Sequence, residues 1–333
     1  MLDPKLAGLL VVIVLAVVFD FINGFHDTAN AVATVISTRV MRPWTAIAMA
    51  GVLNFAGAMA GTEVAKTIGS GIIGASVPLA AISAALVAAI LWNLLTWYRG
   101  IPSSSSHALV GSLLGAGIGS MGIHTVHWPV LLNKVVIPLL VSPVVGFIVA
   151  LWLMRLLARL FGSMRPDHVG PVFRRSQIVS AAFMAFSHGS NDAQKTMGII
   201  TLALVSGGML PSFHVPTWVI ALSAVAMAGG TLAGGRRIIH TMGNRLATLQ
   251  PIHGFAAETS AAVVIQVASR LGFPLSTTHV ISASILGVGA SRRLNAVRWG
   301  VAGSMVNAWL LTIPVTATLG FLATLLVRAL RWG

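Results

Sequence analysis

Long apolar stretches separated by short polar segments run through the whole chain. Their lengths suit membrane-spanning helices, which need about 20 apolar residues, and they lack the strict alternation of barrel strands. We therefore predict an all-α polytopic membrane protein. Five stretches fall in each half, at about residues 6–38, 44–61, 77–98, 103–120 and 135–160, and then 178–206, 217–234, 255–270, 276–290 and 299–327.

Two of these stretches are interrupted by similar polar motifs. The letters NGFHDTANA begin at residue 23, and SHGSNDAQK begins at residue 187. Each motif contains a glycine, Gly24 or Gly189, and a carboxylate, Asp27 or Asp192. A carboxylate at bilayer depth is costly and marks an ion or substrate pathway by default. We predict that both helices are broken near the glycine, as in transporters with discontinuous helices.

Further motifs repeat in the same order. GIPSSSSH begins at residue 100 and GFPLSTTH at residue 272, while TIG at residue 67 corresponds to TMG at residue 241. Such a series indicates an internal repeat. Because each half has an odd number of spans, the second repeat is expected to be inverted. The predicted division is a first repeat at 1–161, a cytoplasmic linker at 162–175 and a second repeat at 176–333.

Composition supports the membrane prediction and limits the partners. The chain is 56% hydrophobic and 8% charged, with a mean hydropathy of +0.90 and a net charge of +14. If the N-terminus is outside, fourteen basic residues fall in inner loops and six in outer ones. This bias predicts that both termini are outside, and it explains the positive charge without nucleic acid.

Two hydroxyl clusters are the candidate substrate site. Each follows Gly-x-Pro and precedes a predicted helix, so backbone N–H groups and hydroxyls are available to a tetrahedral oxyanion. Capping and packing of hydroxyls within membrane helices are the alternative. The candidate substrate-binding residues are Ser104, Ser105, Ser106, Ser276, Thr277 and Thr278.

Acidic, amide and imidazole side chains are the candidates for binding a coupling ion. Glu258 belongs to this set because it lies early in an apolar span, although it has no acidic counterpart in the first half. His107 and His279 leave packing and ion handling equally open. The candidate residues are His26, Asp27, Asn30, Asn191, Asp192 and Glu258.

Two further charged residues have open roles. Lys195 occupies the position that Asn30 has in the other repeat, and it is expected near Asp192 or the anion, since an unpaired intramembrane lysine is costly. Asp20 lies seven residues before Asp27, and either feeds the site or caps a polar seam.

Together the paired motifs resemble the PiT family of inorganic phosphate transporters, especially its bacterial low-affinity branch. That family carries a signature close to Gly-Ala-Asn-Asp-Val-Ala-Asn-Ala in each half, which residues 24–31 and 189–196 resemble. The resemblance implies an inverted-repeat symporter of a bacterial plasma membrane that imports phosphate with protons or sodium. Phosphate would lie between the hydroxyl clusters and the ions near the Asn-Asp motifs. It implies no enzyme activity and no cofactor.

The departures from the signature favour protons over sodium. His26 replaces an asparagine that would offer sodium an oxygen, and Lys195 adds a positive charge. Histidine also exchanges protons near neutral pH. The alternative is sodium at Asp27, Asn30, Asn191 and Asp192. Sulfate is the alternative substrate, and the sequence leaves open a homodimer and transport of a metal–phosphate complex.

Two other functional classes fit less well. An intramembrane hydrolase would need one nucleophile and one base on different elements, whereas the Ser-His pairs occur symmetrically in both halves. A passive anion channel would share the hydroxyl lining but would not need two buried carboxylates.

Overall fold

Helices make up nearly all of the secondary structure. The computed structural model describes residues 3–74, 77–292, 295 and 297–330, and within these it contains thirteen α-helices and no β-strand. The first seven are α1 (Pro4–Ser37), α2 (Pro43–Ala58), α3 (Glu63–Lys66), α4 (Leu79–Arg99), α5 (Ser105–Met121), α6 (Trp128–Val130) and α7 (Ile137–Phe161). The others are α8 (Pro166–Ser206), α9 (Thr217–Ala233), α10 (Arg236–His240), α11 (Pro251–Arg270), α12 (Thr277–Arg292) and α13 (Trp299–Ala329).

The predicted all-helical membrane architecture is confirmed. Among the described residues, α1, α4, α13 and the continuous helical segment Trp128–Phe161 are long and apolar enough to cross a bilayer. Two further spans are bent: Pro43–Ala58 with Glu63–Gly71 at 66°, and Thr217–Ala233 with Arg237–Gly243 at 65°.

The order of elements repeats across the middle of the chain. In each half a long helix is followed by a bent span that ends in a π-helical turn, Thr67–Gly71 or Thr241–Arg245. The packing partners correspond between the two halves. Helix α5 of the first half packs against α13 of the second, and α12 of the second packs against α7 of the first. In the same way α2 packs against α8, and α9 packs against α1. This reciprocity indicates two equivalent halves, and the inverted orientation of the second stays a prediction.

The two Gly-x-Pro motifs have a clear structural role. Helix α4 ends at Arg99 and is followed by Gly100, which has a φ of 66°, and Gly272 has a φ of 74° at the corresponding position after α11. Glycine adopts this left-handed conformation without steric cost. The Ser104 hydroxyl then accepts a hydrogen bond from the His107 backbone N–H at 3.1 Å and caps α5. The motif therefore reverses the chain and starts a new helix in the interior.

The predicted helix breaks at Gly24 and Gly189 are wrong. Both residues lie inside continuous helices, α1 and α8. A side chain at Gly24 would collide with the backbone of Met227 and Gly230 on α9, and one at Gly189 would collide with the backbone of Asn54 on α2. These glycines permit close helix contact. The chain is instead broken within the bent spans and before α5 and α12.

The predicted linker is largely helical. Helix α8 begins at Pro166, so residues 166–175 form its first turns. Proline is well suited to the first helical position, because its missing N–H would have no partner there. The division of the chain at 161 and 176 stays a prediction.

Candidate functional site

The paired motifs on α1 and α8 meet the starts of α5 and α12 in the protein interior. All twelve candidate residues are buried, with none more than 2% exposed. Buried polar groups need hydrogen-bond partners, so the contacts between these side chains define the site.

Asp27 contacts both hydroxyl clusters. Ser105 Oγ donates to Asp27 Oδ2 at 2.8 Å, and Thr278 Oγ1 donates to Oδ1 at 3.4 Å. His26 Nδ1 lies 2.6 Å from Oδ1, and its Nε2 lies 3.0 Å from Thr96 Oγ1 on α4. The imidazole therefore faces the carboxylate and joins it to α4.

Asp192 has an equivalent position in the second half. Lys195 Nζ donates to Asp192 Oδ1 at 2.6 Å, and Thr277 Oγ1 donates to Oδ2 at 3.2 Å. His188 Nε2 lies 3.4 Å from the same Oδ2. His188 is not among the residues predicted from the sequence, although its position one helical turn before Asp192 indicates that the two side chains share a helix face.

The two asparagines differ in their partners. Asn30 Nδ2 donates to the hydroxyls of Thr277 and Thr278, at 3.1 and 3.0 Å, and so joins the two halves. Asn191 Nδ2 donates to Ser269 Oγ at 2.9 Å and to the Phe273 carbonyl at 3.2 Å. Within the described part of the chain, the side-chain oxygen of each asparagine has no hydrogen-bond partner. Each oxygen is therefore available to a ligand.

Carboxylates from the two halves come close together. One ligand atom from each of Asp27, His188 and Asp192 lies within 4.8 Å of the others. Two negative charges this close in a low-dielectric interior repel strongly. The arrangement therefore needs positive charge or protons, which Lys195 and the neighbouring imidazoles are placed to provide.

Comparison with known proteins identifies the family. A sequence model described as the phosphate transporter family matches residues 23–320. The chain belongs to the phosphate transporter family. It is 48% identical over 322 residues to a probable low-affinity inorganic phosphate transporter of Rhizobium meliloti, covering 96% of this chain and 95% of that one. A protein of the same description from Bacillus subtilis is 44% identical over 330 residues, covering 97% and 98%.

A solved structure shares the fold. It is described as the sodium-dependent phosphate transporter, and it superposes with a TM-score of 0.89 at 26% identity over 97% of this chain and 99% of that one. The protein is therefore an integral membrane transporter and not an enzyme, and the sequence-based recognition of the family is confirmed.

In this phosphate transporter the starts of α5 and α12 lie against each other. Ser106 Oγ donates to the Leu275 carbonyl at 2.6 Å, and the rings of His107 and His279 are 4.5 Å apart. His279 also stacks on Trp309 at 4.0 Å. These contacts favour a packing role for the two histidines, which line an apolar cavity of about 480 Å³.

Glu258 is bonded by a different set of side chains. It accepts hydrogen bonds from Thr34, from Ser180 Oγ at 2.5 Å and from Gln177 Nε2 at 3.1 Å. Among the described residues no hydrogen bond joins Glu258 to the carboxylate of Asp27 or of Asp192. Its hydrogen-bond partners therefore lie on α1 and α8, and none of them is among the other candidate residues.

Proposed function

We propose that the protein is a secondary active symporter that imports inorganic phosphate together with protons. The observation that carries this proposal is that each motif carboxylate accepts a hydrogen bond from a hydroxyl of the clusters. Ser105 bonds to Asp27 and Thr277 bonds to Asp192. An anion bound by the hydroxyls would lie next to a cation bound by the carboxylates, so the binding of each can depend on the other, as in coupled transport.

The starts of α5 and α12 supply the groups for phosphate. Helix N-termini present backbone N–H groups with a favourable dipole for an anion. Ser104, Ser105 and Ser106 lie at one start, and Ser276, Thr277 and Thr278 lie at the other. Each hydroxyl donates one hydrogen bond and can accept others, so the cluster can rearrange between carboxylate and phosphate partners.

Protons are favoured over sodium by the group that faces Asp27. That group is the His26 imidazole, a nitrogen ligand, whereas hard cations prefer oxygen. Histidine is also the residue type that most readily exchanges protons in the physiological range, which suits proton coupling. Sodium bound by Asp27, Asn30, Asn191 and Asp192 is the alternative.

Phosphate uptake into proteoliposomes tests the proposal. Sodium is replaced by choline at fixed pH and phosphate concentration, and a proton gradient is imposed separately. We expect uptake to persist without sodium and to accumulate phosphate when the gradient is directed inward. Collapse of uptake in choline would refute proton coupling. Stronger inhibition by excess sulfate than by unlabelled phosphate would favour the alternative substrate.

Ser105→Ala should weaken the apparent affinity for phosphate. A buried hydrogen bond left unmade costs about 1–3 kcal/mol, which corresponds to about a five- to a hundredfold rise in KM. The matched control is Ser112→Ala on the same helix, because the Ser112 hydroxyl is equally buried but donates to its own helix at the Leu109 carbonyl. Equal KM values for the two variants would remove Ser105 from the substrate site.

The proposed orientation places both termini outside. It rests on the distribution of basic residues between loops. Asp167 and Ser212 are exposed and lie near opposite ends of α8. Single cysteines there should be labelled by an impermeant reagent from opposite sides, with Asp167→Cys reached only from the cytoplasm. Labelling of both from one side would contradict the topology.

A further inference from the structure

Lys195 is a fully buried lysine beside the motif carboxylate of the second half. Its side chain is 0% exposed, and Nζ donates to Asp192 Oδ1 at 2.6 Å. Lysine is almost never buried without a partner, and at bilayer depth an ionisable group is a functional candidate by default. In the proton symport proposed above, the ammonium group of Lys195 has no role.

The repeat supplies a direct comparison. Asn30 follows Asp27 by three residues on α1, and Lys195 follows Asp192 by three residues on α8. This spacing places the side chains of each pair on one helix face. In the first half Asn30 offers an amide oxygen, which no described residue bonds. In the second half the same position carries a positive charge.

The difference between Asn30 and Lys195 changes the charge balance of the site. Asp27 and Asp192 belong to a group of ligand atoms within 4.8 Å, and Asp20 lies within electrostatic range of Asp192 and Lys195. Several carboxylates enclosed together require compensating positive charge. Lys195 provides one such charge, which is covalently attached and cannot leave during transport.

We propose that Lys195 is a tethered cation that permanently occupies the cation position of the second half. Only the half that contains Asp27 is then loaded with a cation from solution in each transport cycle. This inference rests on the proposed symport, and it makes Lys195 the residue that determines how many free cations accompany the anion.

The decisive variant is Lys195→Asn, which gives the second half the residue of the first. Uptake is measured in proteoliposomes at fixed pH and phosphate, in sodium and in choline. We expect the wild type to be insensitive to the exchange. In choline, uptake by Lys195→Asn should be about tenfold or more below that of the wild type, since an unpaired buried carboxylate is strongly disfavoured. Increasing sodium should restore this uptake. Lys66→Asn is the control, because Lys66 is an exposed lysine paired with Glu63.

Thermal unfolding in detergent is the second measurement. A cation that binds only the folded state raises the unfolding midpoint in a concentration-dependent way. The midpoint of Lys195→Asn should therefore rise with sodium, and that of the wild type should not. A variant that unfolds in choline and is recovered by sodium also supports the inference. A variant that is unfolded in both salts, or folded without a response to sodium, overturns it.

Three outcomes distinguish this inference from the proposed proton symport and from a role of Lys195 in anion binding. If Lys195→Asn only raises the KM for phosphate and sodium has no effect, the lysine is an anion ligand and the inference is wrong. If the wild type itself needs sodium, the proposed proton coupling is wrong. The tethered cation is still supported in that case if uptake by Lys195→Asn depends more steeply on sodium than uptake by the wild type. If the wild type moves no phosphate, the symport fails and the unfolding midpoints decide.

Discussion

Asp27→Asn should abolish concentrative phosphate uptake while the protein still inserts and folds. The substitution keeps the shape of the side chain but removes the charge that faces His26 and the hydroxyls of Ser105 and Thr278. The variant lacks the carboxylate that would bind the coupling ion, and a loss of about 3 kcal/mol of ion binding corresponds to about a hundredfold, so we expect uptake against a gradient to fall at least that far. The measurement is accumulation in proteoliposomes that contain equal amounts of protein.

The control for this variant is Asp167→Asn. Asp167 is exposed in the first turn of α8, so the same chemical change should leave uptake unaltered. Exchange of labelled for unlabelled phosphate without a gradient adds a second readout. If exchange survives while accumulation is lost, Asp27 carries the coupling ion; if both are lost, it also organises the anion site. Near-normal accumulation would remove Asp27 from the mechanism.

The membrane fold and the meeting of the two motif carboxylates could be predicted from the sequence, because both depend on the cost of placing particular side chains in a bilayer. Asp27 and Asp192 interrupt apolar stretches, and a carboxylate there must have a partner. The repetition of the motifs indicated that the two carboxylates belong together, and the structure places their oxygens near each other. Side-chain type and spacing are therefore sufficient to predict that the two carboxylates lie close together.

The partners themselves could not be predicted. Asn30 bonds to Thr277 and Thr278, which lie far along the chain in the other half. Ser105 bonds to Asp27, whereas Thr277 of the equivalent cluster bonds to Asp192. The cost of burial shows that a polar group needs a partner, but the three-dimensional packing of α1, α5, α8 and α12 decides which partner it finds.

Glu258 shows the limit of the same argument. The cost of a buried carboxylate places it with the coupling-ion residues, and in the structure it is bonded by Thr34, Gln177 and Ser180. Three donors can stabilise a buried carboxylate and connect α11 to α1 and α8. None of these donors belongs to a recognisable motif, so the sequence does not predict them, and a role of Glu258 in binding the coupling ion stays a prediction.

The helix breaks predicted at the two motif glycines are wrong for a different reason. Glycine permits unusual backbone angles, and it also lacks a Cβ atom that would block a close neighbour. Gly24 and Gly189 serve the second purpose, inside unbroken helices. A single sequence does not separate these two uses, because the second depends on which helix lies opposite.

Gly189→Ala should therefore destabilise the protein strongly. The added Cβ would overlap the backbone of Asn54 on α2, and Gly57 on α2 faces Phe186 on α8 in the same contact. Overpacking costs about 1–3 kcal/mol, and more where backbone atoms must move. We expect a lower thermal unfolding midpoint in detergent and less protein in the membrane. Uptake should also fall, because α8 carries Asp192 three residues further on.

The control is Gly303→Ala on α13, where an added Cβ meets nothing within 4 Å. Alanine is the better helix former by about 1 kcal/mol, so this variant should be at least as stable as the wild type. The opposite signs of the two effects isolate the close contact from helix propensity. If Gly189→Ala were instead as stable as Gly303→Ala, then α2 and α8 would not be in tight contact. Backbone flexibility at Gly189 would again be the better explanation for the glycine.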